Sequence, residues 1–182
     1  MNSDRDMVLR PLGLDDLHPQ LLAGFVRAQT VEQAWRGPHG RWRLQPVRFE
    51  EHWDAATLQD IVATDLRHSL AAGGAAWVVE VGGQVVAFAT LCRPPLGRHG
   101  QYVQLLQLHV SQPWRGRGLG RRLLLQAARQ ARGWGAARLY ISGHSSLESY
   151  AFYSAMGCLP AEEVVPEIAQ REPCDLQLEY RL

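Results

Sequence analysis

The chain has 182 residues, of which 46% are hydrophobic and 20% charged, the balance of one globular domain with enough length for a core. Its formal net charge of +1 excludes the charge excess that draws a protein to nucleic acid or to an anionic membrane. No apolar run reaches the ~18 residues of a spanning helix, and Met-Asn-Ser-Asp-Arg-Asp at the start lacks a leader's apolar centre; three cysteines without a Cys-x-x-Cys imply a reducing compartment, taken as the cytoplasm, and no structural zinc.

In chain order, Met7–Leu12 reads as a short first strand. Leu14-Asp-Asp-Leu17 then opens a predicted helix, with Leu17, Leu21, Leu22, Phe25 and Val26 on one face. From Ala34 to Trp53 no clean period appears; Trp35, Trp42 and Trp53 are interleaved with arginines, two prolines, His39 and His52. This stretch is expected to be a long loop or a broken helix. It is either a surface loop with its tryptophans tucked onto the core, or a lip that holds a substrate by stacking and charge.

A helix comes next, from about Thr57, with Leu58, Ile61, Val62, Leu66 and Leu70 as its apolar stripe and Gly73-Gly74 as its end. Trp77–Val81 and Gln84–Leu91 flank Gly82-Gly83, a hairpin signal. Pro94–Gly100 is a turn. Tyr102–Val110 is a buried strand, followed by Arg115-Gly-Arg-Gly-Leu-Gly120 and a helix in which Leu119, Leu123, Ala127 and Ala131 recur at helical spacing up to Gly133 and Gly135. Arg138–Ser142 is a short strand, Ser146–Met156 a helix, and Asp175–Arg181 alternates as a half-exposed terminal strand. The fold class is α/β: helices on a mixed sheet with one strand–helix–strand crossover at the glycine turn, residues 1–182 forming one domain.

The glycine turn carries the chemistry. Glycines between a strand and a helix start let the backbone approach a ligand, and the first helical N–H groups suit phosphate oxygens. Arg115, Arg117, Arg121 and Arg122 add charge there. A phosphate loop of the Walker type needs a lysine after its last glycine, and this chain has no lysine at all. The dinucleotide fingerprint fails because its third glycine falls on Arg121.

What fits is Arg-x-x-Gly-x-Gly from Arg115 through Gly118 to Gly120, which resembles the acyl-CoA pyrophosphate loop of GNAT N-acetyltransferases. Downstream, Ser146-Leu-Glu-Ser-Tyr-Ala-Phe-Tyr-Ser-Ala-Met-Gly-Cys158 resembles the family's Asn-x-x-Ala-x-x-Phe-Tyr-x-x-x-Gly-Phe segment. Phe152, Tyr153 and Gly157 match; Ser146, Ser149 and Cys158 depart. The resemblance covers roughly the last two-thirds of the chain, from Trp77 onward.

The resemblance implies a mostly antiparallel sheet flanked by helices, whose two central parallel strands splay to admit the pantetheine arm. It implies acetyl-CoA as co-substrate, with no metal, and a primary amine of a small molecule or peptide as acceptor. Cofactor contacts would come from Leu108, His109 and Val110, from Arg115, Gly116, Arg117, Gly118, Leu119, Gly120 and Arg121, and from Ser146. Tyr153 would protonate the departing thiolate. The general base stays open among His109, Glu50, Glu51, Glu80, Glu148 and a water chain, since Gln104 and Gln107 cannot take a proton. A homodimer is left open. The competing reading is a non-catalytic acyl-CoA-binding regulatory module.

Overall fold

The computed structural model describes residues 7–182; the expectation about the first six residues lies outside them. Seven strands form one sheet in the order β1-β4-β5-β6-β7-β9-β8. They are β1 (Val8–Leu12), β4 (Ala75–Val81), β5 (Gln84–Leu91), β6 (Tyr102–Val110), β7 (Arg138–Gly143), β8 (Leu159–Pro160) and β9 (Leu176–Arg181). All neighbours are antiparallel except β6 and β7, which are parallel and joined by α3 (Leu119–Gly133). The mixed, mostly antiparallel sheet and its one crossover are as the sequence implies.

The two faces are covered differently. Leu119, Leu123, Leu124, Ala127, Ala128 and Ala131 of α3 are buried against Val103, Leu105, Leu139 and Ile141. On the opposite face, Leu58, Ile61, Val62 and Leu66 pack on Val78, Val85 and Phe88. These belong to a helical stretch, residues 55–71, made of α1 (Ala55–Ile61), one wide π turn at Val62–Leu66 and α2 (Arg67–Ala71). Asp54 caps it by accepting from the Thr57 N–H at 2.8 Å. The short α4 (Leu147–Ala155) and α5 (Pro166–Arg171) complete the helices.

Three expectations are corrected. The helix after Leu14 is a single tight turn at Leu14–Asp16 followed by further turns. Pro19 has no N–H to continue the ladder, yet Leu17, Leu21, Leu22 and Phe25 are buried as the apolar pattern requires. The stretch from Ala34 to Trp53 is neither loop nor broken helix. It belongs to a two-stranded antiparallel hairpin of β2 (Ala28–Arg36) and β3 (Arg43–His52). Gly37 and Gly40 at its tip adopt positive φ, which frees the chain to turn. The period is masked because β3 carries one extra residue opposite Val31–Gln33, which shifts its half-buried positions from Leu44 to Val47 and Phe49.

The third correction concerns β9. It is not half-exposed: it lies between β7 and β8, and its polar residues Gln177 and Glu179 are buried. The Glu179 carboxylate accepts from the Tyr102 hydroxyl at 2.8 Å, from Arg138 at 3.0 Å and from the Glu162 N–H at 3.0 Å. Burial alone would raise its pKa; these donors outweigh that and hold it below the usual range. A depressed carboxylate stabilises the fold above its unfolded pKa of about 4.3 and loses that contribution as pH falls through the folded value. Glu179→Ala leaves the Tyr102 hydroxyl and the Glu162 N–H without their acceptor, while Arg138 keeps its pairing with Glu162, and is expected to cost roughly 2–4 kcal/mol in urea unfolding. Glu179→Gln should flatten the acid limb of stability against pH.

Candidate active site

The site begins with a register fault. On β5, Thr90 pairs with Gln107 and Leu91 with Leu105, so Leu106 is an extra residue on β6. Such a bulge bends its strand and reverses the alternation of side chains. Before it Val103 and Leu105 face α3; after it Leu108 and Val110 do. Parallel pairing with β7 also stops there, having run only from Tyr102↔Arg138 to Gln104↔Tyr140. Beyond Gln104 the two strands diverge, and no strand among the described residues fills the gap. The Ser111 N–H bonds the Val86 carbonyl on the β5 side. By alternation the backbone groups of Leu108 and Val110 therefore point away from β5, into the gap.

The turn beyond β6 stands at the mouth of this gap. Gly116 and Gly118 have φ of 75° and 76°, and a Cβ at either would meet nothing within 4 Å. The glycines thus serve backbone conformation and an open approach, not packing. Gly118 stands before the fifteen residues of α3 and offers no side-chain cap, so the first N–H groups of α3 face outward with the positive end of the helix dipole. Arg121 and Arg122 are exposed on that first turn. Arg117 stacks on the Trp114 ring at 4.8 Å. Arg115 differs from the other three: its guanidinium donates to the carbonyls of Val110 at 3.3 Å and Ala28 at 3.1 Å, tying the turn to β2.

Gly120 joins the two sequence motifs. A Cβ there would lie 3.2 Å from two ring carbons of Phe152, so α4 is seated against the start of α3 by the absence of a side chain. Tyr153 is the next residue on α4, its ring against Gly143 of β7, where an added Cβ would stand 3.1 Å away. Gly143 carries no motif signal and sequence reasoning misses it. The Tyr153 hydroxyl has no protein hydrogen-bond partner among the described residues. Its pKa is raised, by burial first and then by Cys158 and Asp175, so the phenol keeps its proton. Leu119 is fully enclosed in the core, so of this residue only the backbone is available to a ligand. Ser146 is also fully buried. Its hydroxyl caps α4, accepting from the Ser149 N–H at 3.2 Å and from Gln29 at 3.0 Å.

The hairpin β2–β3 straps the open end of the gap. The Gln112 N–H bonds the Val26 carbonyl at one end, and the Trp35 N–H bonds the Ser145 carbonyl just past β7. Beneath it lies a polar cluster that the sequence did not announce. Glu51 accepts from Arg27 at 3.0 Å, and its other carboxylate oxygen lies 3.0 Å from His144 Nε2. Arg27 is 8% exposed, and one of its terminal nitrogens is buried without a partner. Of the carboxylates considered from sequence, Glu80 pairs with Arg10 on the far edge, Glu148 touches Gln29 and Glu50 is exposed on β3, while Glu51 joins Arg27 and His144. His109 lies on the side away from α3, edge-on to Trp53 at 4.6 Å. Burial, then Arg27, Arg115 and His144, push its pKa down to about 3. Among the described residues no cluster of three His, Cys, Asp or Glu could hold a metal, and no helix is long and apolar enough to cross a membrane.

Comparisons with known proteins agree with this geometry. The family model described as "Acetyltransferase (GNAT) family" matches residues 22–158. A curated relative, N-acetyltransferase family 8 member 2 of Rattus norvegicus, is 33% identical over 123 residues, covering 64% of this chain and 53% of that protein. The chain thus spans about half the length of the curated relative it matches. Nourseothricin acetyltransferase superposes with a TM-score of 0.69 at 15% identity, covering 97% of this chain and 98% of the other. A putative streptothricin acetyltransferase from Bacillus anthracis str. Ames, solved with acetyl coenzyme A, superposes with a TM-score of 0.65 at 13% identity and the same coverages. At these identities the structural likeness is one of fold.

Because the Cβ space at Gly118 is open, Gly118→Ala is expected to act through φ. It should cost about 1–2 kcal/mol of stability from the left-handed backbone alone. Gly120→Leu should instead displace Phe152 and α4, so its signature is loss of the aromatic near-ultraviolet signal.

Proposed function

The chain belongs to the acetyltransferase (GNAT) family, and from that premise we propose that it is an acetyl-CoA-dependent N-acetyltransferase acting on a primary amine of a small molecule or peptide. One observation carries the reading: the gap opened at Leu106 runs directly into an uncapped helix start with two open left-handed glycines. An extended arm ending in a pyrophosphate matches that shape. The backbone groups of Leu108 and Val110 would pair with the pantetheine amides as a strand would. The N–H groups of Gly116–Arg121 would hold the pyrophosphate, with Arg117, Arg121 and Arg122 adding charge. Arg115 acts indirectly, by fixing the turn. Ser146 supports α4 from within the fold.

In the reaction the neutral amine attacks the thioester carbonyl, and a C–N bond forms. The oxyanion is held by a backbone N–H of β6 near Leu108. Collapse breaks the C–S bond, and the Tyr153 hydroxyl passes its proton to sulfur as the thiolate departs. The nitrogen sheds one proton, which solvent carries away and which restores Tyr153. The raised pKa keeps the phenol protonated at neutral pH and also makes it a weak acid, so the hydroxyl donates a hydrogen bond to the developing thiolate ahead of any full proton transfer. The strap from Trp35 to Trp53 lines the acceptor side. The unpaired state of Cys92, Cys158 and Cys174 accords with a cytoplasmic setting.

CoA should raise the melting temperature, since it binds only the folded chain, and adenine nucleotides without the pantetheine arm should raise it less. Stabilisation by NAD and not by CoA overturns the assignment. Tyr153→Phe keeps the ring against Gly143 and removes one transferable proton. It should lower kcat by less than the usual ~10²–10⁴-fold, since a thiolate leaves readily, with acetyl-CoA affinity and melting temperature unchanged. A variant that loses stability but keeps its rate marks Tyr153 as a packing residue. Stabilisation by acetyl-CoA with no CoA released in the presence of an amine panel favours the non-catalytic acyl-CoA-binding module.

A further inference from the structure

The π turn in the first helix is not required by the acetyl-CoA site. A π turn inserts one residue into the helical ladder and rotates the residues after it, and such turns collect at functional places. Here it carries Asp65, partly buried, toward the sheet. The Asp65 carboxylate lies 2.6 Å from the Gln107 amide nitrogen, and the Gln107 carbonyl oxygen lies 2.6 Å from His109 Nε2.

The polarity of this chain is forced. A carboxylate only accepts, so the Gln107 amide must present its NH₂ to Asp65 and its oxygen to the histidine. An amide oxygen also only accepts. His109 therefore carries its hydrogen on Nε2, and Nδ1 is left with a lone pair. Nδ1 has no protein partner among the described residues, and His109 is partly exposed. The bulge at Leu106 is what turns both Gln107 and His109 to the side away from α3. The ring is held in place by Trp53 at 4.6 Å and Phe88 at 5.4 Å. Charged and titratable groups converge on it from every neighbouring element: Asp65 from the π turn, Arg27 ahead of β2, Arg115 from the glycine turn and His144 after β7. Glu51 of β3 stands behind Arg27 and His144.

We propose that Asp65 and Gln107 are positioning residues that lock His109 in the Nε2–H tautomer, so that Nδ1 accepts an N–H of the acceptor amine and orients it for attack. The proposal rests on the acetyltransferase reading above. As the C–N bond forms, the N–H that faces Nδ1 becomes acidic and its proton moves onto Nδ1. The C–S bond breaks, and sulfur takes the Tyr153 proton. The surrounding cations and the burial that depress His109 make the resulting imidazolium a strong acid. It gives the proton to water, water returns one to the Tyr153 phenolate, and both groups are ready for the next amine. The arrangement favours an amine that arrives neutral. Between pH ~5 and ~9 the rate should then track the ionisation of the amine, with no histidine limb.

The test uses the full chain and two variants, Asp65→Asn and the double variant Asp65→Asn/Gln107→Glu. Nitrogen-15 NMR of labelled histidine reads the tautomer without any need for activity. In the native protein His109 should be purely Nε2–H. Asp65→Asn lets the amide flip, so the tautomers should mix and kcat/KM fall roughly 10-fold, the equivalent of one charge-assisted hydrogen bond, with the CoA thermal shift unchanged. The double variant reverses the relay: the amide introduced in place of the Asp65 carboxylate donates to the carboxylate introduced in place of the Gln107 amide. That carboxylate accepts from Nε2–H and favours the imidazolium. The double variant should recover the single tautomer and gain an acid limb in kcat/KM near pH ~6–7. A purely structural contact produces no new limb. Native His109 found as the Nδ1–H tautomer overturns the relay, as does Asp65→Asn with an unchanged rate and pH profile. A native protein that binds acetyl-CoA and acetylates no amine overturns the enzymatic reading and this role with it, whatever the tautomer.

Discussion

Everything in the site depends on where β6 and β7 stop pairing. Here the ladder runs for three residue pairs and is then broken by the extra residue at Leu106. The bulge does two things at once. It bends β6 away from β7, which leaves both backbone groups of Leu108 and the N–H of Val110 facing a gap, the Val110 carbonyl being taken by Arg115. It also reverses the alternation of side chains, so that apolar Leu108 and Val110 continue the α3 core while Gln107 and His109 pass to the other side. Unpaired backbone in a sheet is costly in the interior. A ligand with amides spaced along an extended arm resolves that cost, which is why the gap reads as a binding slot rather than as a defect.

The rest of the molecule holds this slot in shape. Small residues set the distances: Gly120 brings α4 against α3 through Phe152, and Gly143 brings Tyr153 onto β7. The hairpin β2–β3 then closes the open end, fastened at Val26 and at Trp35. It also brings charge inside. Arg27 and Glu51 come from the hairpin and its approach, His144 from the sheet, and the three are linked through the Glu51 carboxylate. A strap fastened at both ends by backbone bonds can present a substrate lip and stay ordered at the same time.

Most of the central elements were legible in the sequence because their signals are local. The hairpin at Gly82-Gly83, the strand Tyr102–Val110 and the helix after Gly118 all carry strong period or turn chemistry, and their bounds agree closely with the structure. The two motifs meet in the fold, where the ring of Phe152 stands against Gly120, a contact that only the structure shows. What was not legible is what depends on pairing between distant residues. The strap failed to show because β3 carries an extra residue between Pro46 and Phe49, opposite Val31–Gln33, and the bulge breaks its alternation. Glu179 looked like an exposed position of an alternating strand, and only Tyr102, Arg138 and the chain at Glu162 make it a buried one. His109 could not be assigned a direction without knowing that Leu106 is extra. Arg27 was hidden at the end of an expected helix that Pro19 prevents.

The central claim is that the gap beside β6 receives the pantetheine arm while the glycine turn receives the pyrophosphate. Amide hydrogen–deuterium exchange with and without CoA tests it most directly. Binding should slow exchange in two segments together, residues 106–110 and residues 116–121, because both lose access to solvent through the same ligand. Protection that falls instead at the opposite end of the sheet, around the cavity lined by Arg93, Pro95, Val103 and Trp134, with residues 106–110 exchanging as before, would contradict the account.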